Sequence, residues 1–218
     1  MTTREQTGKL RPFVPQKKRM LMEKQLALRT RFFTVLLEDI YKPQNASAVM
    51  RTCDCLGIQD LYMVEDKHRL STYSNVELGA SKWITLKRYR SELDKNIGDC
   101  FNDLRKNNYR ICATYLGAGS TCLQDYKIQG KTCFVFGTEQ EGISEFVKSE
   151  SDDLVQIPMV GFTDSLNLSV SVGIILNSAL EKARAIRPDM QLDQIEKDEL
   201  RLSWYKKVVR GADKILNV

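Results

Sequence analysis

Between Arg31 and Pro158, short apolar runs rich in β-branched and aromatic residues alternate with stretches of helical periodicity, and this alternation restricts the chain to one broad class of fold. FFTVLLE, DLYMVE, KWITLK, RICATYL, TCFVFG and DLVQIP read as strands, and residues 46–56, 92–107 and 143–150 read as helices between them. Strands that are apolar along their whole length need cover on both faces. Parallel βαβ units provide it through their crossover helices. The expectation is an α/β domain: a mostly parallel sheet with helices on both faces, uninterrupted by internal repeats or low-complexity sequence.

Two further helical patterns flank this body. Residues 15–30 set Met20, Met22, Leu26 and Leu28 among lysines and arginines, and residues 192–217, beyond Pro188, carry apolar side chains from Leu192 through Trp204 to Leu216 at roughly helical intervals. Each amphipathic extension must pack on the body, on the other extension or on a partner subunit. The boundaries expected are a basic N-terminal arm and helix over 1–31, the main domain over 32–187 and a C-terminal helical extension over 188–218. A chain of 218 residues, 42% hydrophobic and 28% charged, supports one sizeable core with such appendages. No apolar run approaches the roughly 18 residues of a membrane span. The first residues, Met1 to Arg19, are polar and basic without an apolar signal-like core, so a soluble, cytoplasmic protein with no membrane partner is expected.

The net charge of +5 is unevenly distributed. Residues 1–31 hold nine Lys/Arg against two acids, residues 32–180 sum to −4, and residues 181–218 hold nine against seven. A basic arm on a near-neutral body is a frequent footprint of nucleic-acid binding, since phosphate contacts dominate non-specific affinity. A merely solvated basic tail is the other reading of the same charges.

Of the six cysteines only Cys53 and Cys55 are close in sequence, and two residues apart on a helix their side chains diverge. Buried free thiols are expected and no metal site, because zinc would need a second pair or nearby histidines and the sole histidine is His68. His68 lies in the polar stretch EDKHRLSTYS, expected to be a solvated loop.

Three segments could hold chemistry. In KPQNASAVMRT, residues 42–52, Asn45 suits a helix N-cap and Arg51 falls six residues later; a cap with a surface arginine accounts for both. In VFGTEQEGIS, residues 135–144, a strand ends at Gly137, where a glycine lets a ligand approach the backbone, and Glu139 and Glu141 either serve that site or cap the next helix. In IPMVGFTDSLNLSVSVGIILNSAL, residues 157–180, a helix of small residues is expected to begin near Ser165, a reasonable N-cap, leaving Asn167 just inside it without an obvious structural duty. A dinucleotide-type glycine fingerprint is absent; Leu116-Gly117-Ala118-Gly119-Ser120 lacks the third glycine, and no phosphate loop or nucleophile elbow is present.

Taken in order, NASAVMRT, FGTEQEGIS and IPMVGFTDSLNLSVSVG resemble the three ordered motifs of SpoU-type RNA 2′-O-ribose methyltransferases. VLLEDIYKPQNASAVMRTCDCLGI, GASKW and the Trp204 segment look like the TrmH branch, which acts on tRNA. The resemblance runs from about Phe33 to Leu180. It implies a deep C-terminal trefoil knot, a homodimer with sites near the subunit interface, and S-adenosylmethionine as cofactor, cradled by loops at Thr114, Gly137, Ile157, Met159, Leu166 and Asn167. It also carries catalytic roles onto Asn45, Arg51, Glu139, Ser165 and Asn167.

The reaction so implied is methylation of a ribose 2′-hydroxyl, most often of a guanosine in tRNA. Ribosomal RNA as substrate, or a catalytically silent RNA-binding protein on the same fold, are the alternatives. The hydroxyl must be aligned with the methyl and its proton accepted or relayed. A guanidinium holds its proton tightly and makes a poor base near neutral pH, so Arg51 is expected to clamp a phosphate and orient the ribose. Arg11, Lys17, Lys18, Arg19 and Lys24 on the arm, with Lys182 and Arg184, are candidate RNA contacts. The chain departs from the TrmH pattern at Glu181 and Ala183, where arginines are expected.

Overall fold

The structure, a computed structural model, describes residues 1–66, 79–90 and 96–217; His68 and the beginning of the helix expected over 92–107 lie outside the described residues. The chain divides into two compact units, one of residues 31–190 and one joining residues 1–30 to 191–218.

Among the described residues of the larger unit seven strands form one parallel sheet. They are β1 (Phe33–Glu38), β2 (Asp60–Val64), β3 (Thr85–Tyr89), β4 (Arg110–Thr114), β5 (Thr121–Cys122), β6 (Thr132–Phe136) and β7 (Asp153–Gln156), in the order β3-β2-β1-β6-β4-β7-β5. The helices α3 (Pro43–Cys55), α4 (Ile97–Lys106), α5 (Glu145–Glu150) and α6 (Leu168–Ile186) connect or follow them. Successive residues of a strand point to opposite faces. Accordingly Val35 and Leu37 of β1, with Phe134 and Phe136 of β6, join the core under α3 and α6, whereas Leu36, Cys133 and Val135 join the core under α4 and α5. Both faces are dry, which is why these strands read as unbroken apolar runs; each buried Leu, Val or Phe contributes about 1.5–3 kcal/mol.

Differences from the sequence reading lie at element ends. The third strand starts three residues after Lys82, because Ala80–Lys82 form a 3-10 turn behind Gly79 at φ +84°. The two-residue β5, exposed at Thr121 and half-buried at Cys122, has no apolar run in the sequence to mark it. Cys53, Cys100, Cys112 and Cys133 are buried, and none of the six cysteines is in a disulfide. Burial pushes the Cys112 thiol up to about 12, so it stays protonated and inert near neutral pH.

The smaller unit contains α1 (Thr3–Leu10), α2 (Gln16–Leu26), α7 (Gln194–Val208) and α8 (Ala212–Leu216). Reciprocal caps start two of them, Thr2 with Glu5 and Asp193 with Glu196. α1 packs on α7 and α8, and α2 on α7, burying Leu10, Met22, Leu26 and Trp204; the Arg29 guanidinium lies 5.4 Å from the Trp204 ring. The patterns over 15–30 and 192–217 are each shorter than expected. α2 stops at Leu26, with Met20 and Leu28 exposed, and the C-terminal pattern breaks at Gly211, φ +70°. Among the described residues no helix is long and apolar enough to cross a membrane.

Candidate active site

Because all strands run the same way, the loops leaving β1, β4, β6 and β7 emerge at one edge of the sheet, the position at which α/β sheets hold ligands. Three of them enclose a cavity of about 390 Å³, within the range of about 300–1,000 Å³ usual for small-molecule sites. Thr114, Gly137, Ile157, Met159 and Leu166, expected from the resemblance to hold the cofactor, all line it, as do Glu139 and Ser165. Phe136, Leu168 and Ile175 add apolar surface.

The loop after β6 is the tightest part of the wall. Thr138 and Gly142 exchange two backbone hydrogen bonds of 3.0 Å each, and Gly142 adopts φ +71° to close the turn. Gly137 is needed for a different reason, since a Cβ there would meet the Gly142 carbonyl oxygen at 1.9 Å. Glu139 and Glu141 do not cap the next helix; Ser144 does, accepting the Val147 N–H at 3.2 Å. Glu139 instead accepts a hydrogen bond from Asn45 Nδ2, 94 residues away in sequence, and its Oε2 is buried without a hydrogen-bond partner among the described residues.

Asn45 is not the N-cap expected of it. α3 begins at Pro43, a residue whose fixed φ and missing N–H suit the first turn, so Asn45 sits inside the helix with its amide free for long-range bonds. Ser165 is not a cap either: it is exposed at the cavity, and Asn167 caps α6, its Oδ1 accepting from Ser169 N at 2.9 Å and Ser169 Oγ at 2.7 Å. Asn167 Nδ2 donates to Asn45 Oδ1 at 3.4 Å, so one chain of bonds joins Asn167, Asn45 and Glu139. Both amides thereby have a defined sense, oxygen one way and nitrogen the other. Asn167 stands beside the cavity lining rather than within it.

Arg51 is not brought to the cavity of its own chain. Its side chain is exposed and makes no hydrogen bond or ion pair with a described residue, and by helix geometry the residue lies about 9 Å along α3 from Asn45, turned by roughly 120°. The cavity also has walls that sequence reasoning missed, Tyr115 and Asp164 among them; the signal for Tyr115 is its place just beyond the carboxyl end of β4, and that for Asp164 its place beside Ser165 in the loop before α6.

The cations named as RNA contacts differ in availability. Lys182 is committed within the fold, its Nζ donating to the carbonyls of Leu123, Gln124 and Tyr126 at 2.6, 2.9 and 2.9 Å, so all three ammonium protons are used. Lys182→Met is therefore expected to cost about 2 kcal/mol of stability, since bonds to a charged donor are worth about 1.5–3 kcal/mol. The melting temperature should fall while the salt dependence of RNA binding stays unchanged; the reverse pattern would restore Lys182 to the RNA surface. Arg184 is exposed and makes no ion pair with a described residue, whereas Ala183 is fully buried, a place an arginine head group could not occupy. Arg11, Lys17, Lys18 and Lys24 are exposed and Arg19 half-buried; Arg11 and Arg19 border a cavity of about 820 Å³ in the smaller unit, where Glu23 and Asp198 are paired to Arg201 and Arg4.

The SpoU rRNA Methylase family is matched over residues 33–177. The chain is 39% identical over 211 residues to a tRNA (guanosine(18)-2′-O)-methyltransferase of Borreliella burgdorferi, covering 97% of this chain and 94% of that protein. It is 30% identical over 179 residues to the enzyme of the same description from Escherichia coli K12, covering 80% of this chain and 76% of that one. The crystal structure of a TrmH/SpoU tRNA-modifying enzyme from A. aeolicus superposes with a TM-score of 0.76 at 25% identity, covering 89% of this chain and 98% of that chain. With two thirds of its length inside the family match and a relative of nearly equal extent, the chain belongs to the SpoU rRNA Methylase family.

Proposed function

We propose that this protein methylates the ribose 2′-hydroxyl of a guanosine in tRNA, using S-adenosylmethionine. The observation that carries the reading is the convergence of three distant segments at one edge of the sheet: Asn45 bonded to Glu139, Asn167 bonded to Asn45, and a cavity lined from the loops after β4, β6 and β7. The residues present fit the cofactor. An apolar floor suits a nucleoside, and the unpartnered buried Glu139 oxygen suits a ligand carrying positive charge, which would complete its hydrogen bonding or offset its charge. When bound, S-adenosylmethionine supplies a methyl group activated by its sulfonium.

The chain's own residues then bind, orient and exclude water. Gly137, Ile157, Met159, Leu166 and Thr114 hold the cofactor, with Glu139 and Asn45 fixing the loop after β6. Asn167 and Ser165 present polar groups toward the ribose. The free guanidinium of Arg51 clamps a phosphate of the substrate beside the reacting sugar, so that the hydroxyl proton leaves to that phosphate or to water. Since Arg51 does not line the cavity of its own chain, a second copy of the chain is the proposed source of the arginine at each site. The apolar side chains of Val160 and Phe162, fully exposed in the loop before α6, and of Val170 and Ile174 on α6 support a homodimer in which this surface is covered. RNA is selected because only RNA carries the nucleophile. A cytoplasmic location follows from a tRNA substrate.

Arg11, Lys17, Lys18, Arg19, Lys24 and Arg184 are proposed phosphate contacts. Neutralising Arg11, Lys17 and Lys24 with glutamine should reduce the slope of log affinity against log salt by roughly 2–3, about 0.7–0.9 for each phosphate that the protein ceases to neutralise. An unchanged slope would take these three off the RNA surface. The reading as a whole is tested by incubating the protein with S-adenosylmethionine labelled in its methyl group and with separate tRNA and ribosomal RNA, then mapping the methylated riboses. Label at a tRNA guanosine is the expected result; label confined to ribosomal RNA would favour the alternative substrate, and cofactor binding or RNA binding without transfer a silent module.

A further inference from the structure

The segment after β4 contributes one aromatic side chain to the cavity wall, and its placement is over-determined. The Tyr115 N–H donates to the Val155 carbonyl at 3.0 Å and its carbonyl accepts the Ser120 hydroxyl at 2.7 Å, so the main chain is fixed on both sides of the residue. The ring is held independently. Lys148 Nζ lies 4.4 Å from the ring centroid and donates to the phenol oxygen at 3.1 Å. Beside it, a Cβ on Gly117 would come within 2.6 Å of Tyr115 Cε1, so the ring occupies space that any side chain at 117 would claim. A tyrosine with no task at a half-open rim needs none of this. Immobilising both it and a long lysine loses side-chain entropy that exposed contacts return only in part.

The electrostatics of the ring limit what it can face. A cation already sits over Tyr115, and a second one at the same π system would be repelled by the first. A neutral heteroaromatic ring suffers no such penalty and gains offset stacking. Elsewhere on the same wall, the unpartnered oxygen of Glu139 offers the complementary environment for positive charge. The cavity thus has an aromatic region and an anionic region, matching a ligand with a purine at one end and a cationic centre at the other.

Resting on the function proposed above, we infer that Tyr115 forms the purine-facing wall, with the adenine of S-adenosylmethionine stacked against its ring. Lys148 and Gly117 are positioning residues that set the ring's angle. Neither belongs to the three motif segments, so this part of the site is built by the segment after β4 and by α5.

The test is calorimetric titration of the full-length protein with S-adenosylhomocysteine, which lacks the transferable methyl, and separately with adenosine. Tyr115→Ala, and Tyr115→Leu, which keeps apolar bulk without a π face, should each weaken both ligands by about tenfold, the scale of aromatic stacking on a base. Tyr115→Phe should stay within about threefold of the unaltered protein, because the π face remains. Lys148→Met and Gly117→Ala should raise the KM for S-adenosylmethionine severalfold at an unchanged kcat, a split that a purely structural role would not give. Unchanged affinity for S-adenosylhomocysteine in both Tyr115→Ala and Tyr115→Leu overturns the inference, as does weakened S-adenosylhomocysteine binding with adenosine unaffected. Should the unaltered protein bind neither S-adenosylhomocysteine nor S-adenosylmethionine, the proposed function itself falls, and the inference with it.

Discussion

Gly137→Ala is expected to lower the melting temperature by roughly 5–12 °C and to weaken S-adenosylhomocysteine binding at least a hundredfold. The added methyl would lie 1.9 Å from the Gly142 oxygen, 2.1 Å from its carbonyl carbon and 2.4 Å from Ile143 N, all main-chain atoms with no rotamer through which to escape. Relief requires opening the paired bonds between Thr138 and Gly142, each 3.0 Å. Overpacking of this kind costs about 1–3 kcal/mol, and the two broken bonds add about 0.5–1.5 kcal/mol each. The binding loss should exceed what stability alone predicts, because the displaced loop carries Glu139 and therefore the anchor of Asn45. A variant that melts within a degree of the original and binds the ligand equally well would show that this loop does not form the wall described.

How far the sequence foretold this arrangement depends on the range of the interaction concerned. β1 and β6 were readable because both their faces are buried, which leaves a local record of consecutive apolar residues. Gly137 was readable as a close approach, although the group that approaches it is the chain's own Gly142 rather than a ligand. Gly173, one of the small residues of α6, has no comparable need, since a Cβ there would only touch Thr52 Cγ2 at 3.8 Å. The caps were misplaced at both motif helices. Pro43 is the better start signal for α3, and α6 is capped by Asn167, two residues beyond Ser165, because the cap's position depends on where the chain leaves β7. α1 was missed because TREQTGKL is too polar to show a face; its only mark is the Thr2–Glu5 capping box. Bonds such as Asn45 to Glu139 or Lys182 to the 123–126 carbonyls span some 56 to 94 residues and leave no trace in local pattern. The motif resemblance supplied what periodicity could not: which polar residues would meet.

Arg51→Ala is expected to leave the melting temperature within about 1 °C of the original yet reduce the single-turnover rate at saturating RNA by about 10²–10³. The first half follows from the fold: the side chain is exposed and makes no hydrogen bond or ion pair with a described residue, so the folded chain does not depend on it. The second follows from the proposed clamp, because losing one positioned donor, or misplacing a reactant by about 1 Å, costs on the order of 10² or more. Arg51→Lys should recover little, since a single ammonium cannot reproduce the two parallel bonds of a guanidinium to phosphate. Which copy supplies the arginine is decided by mixing subunits. If Arg51 serves the partner's cavity, co-refolding Arg51→Ala with Asn45→Ala chains gives mixed dimers in which one of the two sites is intact, restoring about a quarter of full activity from two nearly inactive proteins. If it serves its own cavity, every site in the mixture carries a defect and nothing returns. Absence of recovery, with mixed dimers demonstrated in the same sample, would remove the second copy from the chemistry, and Arg51 would then have to reach the cavity of its own chain, which it does not line.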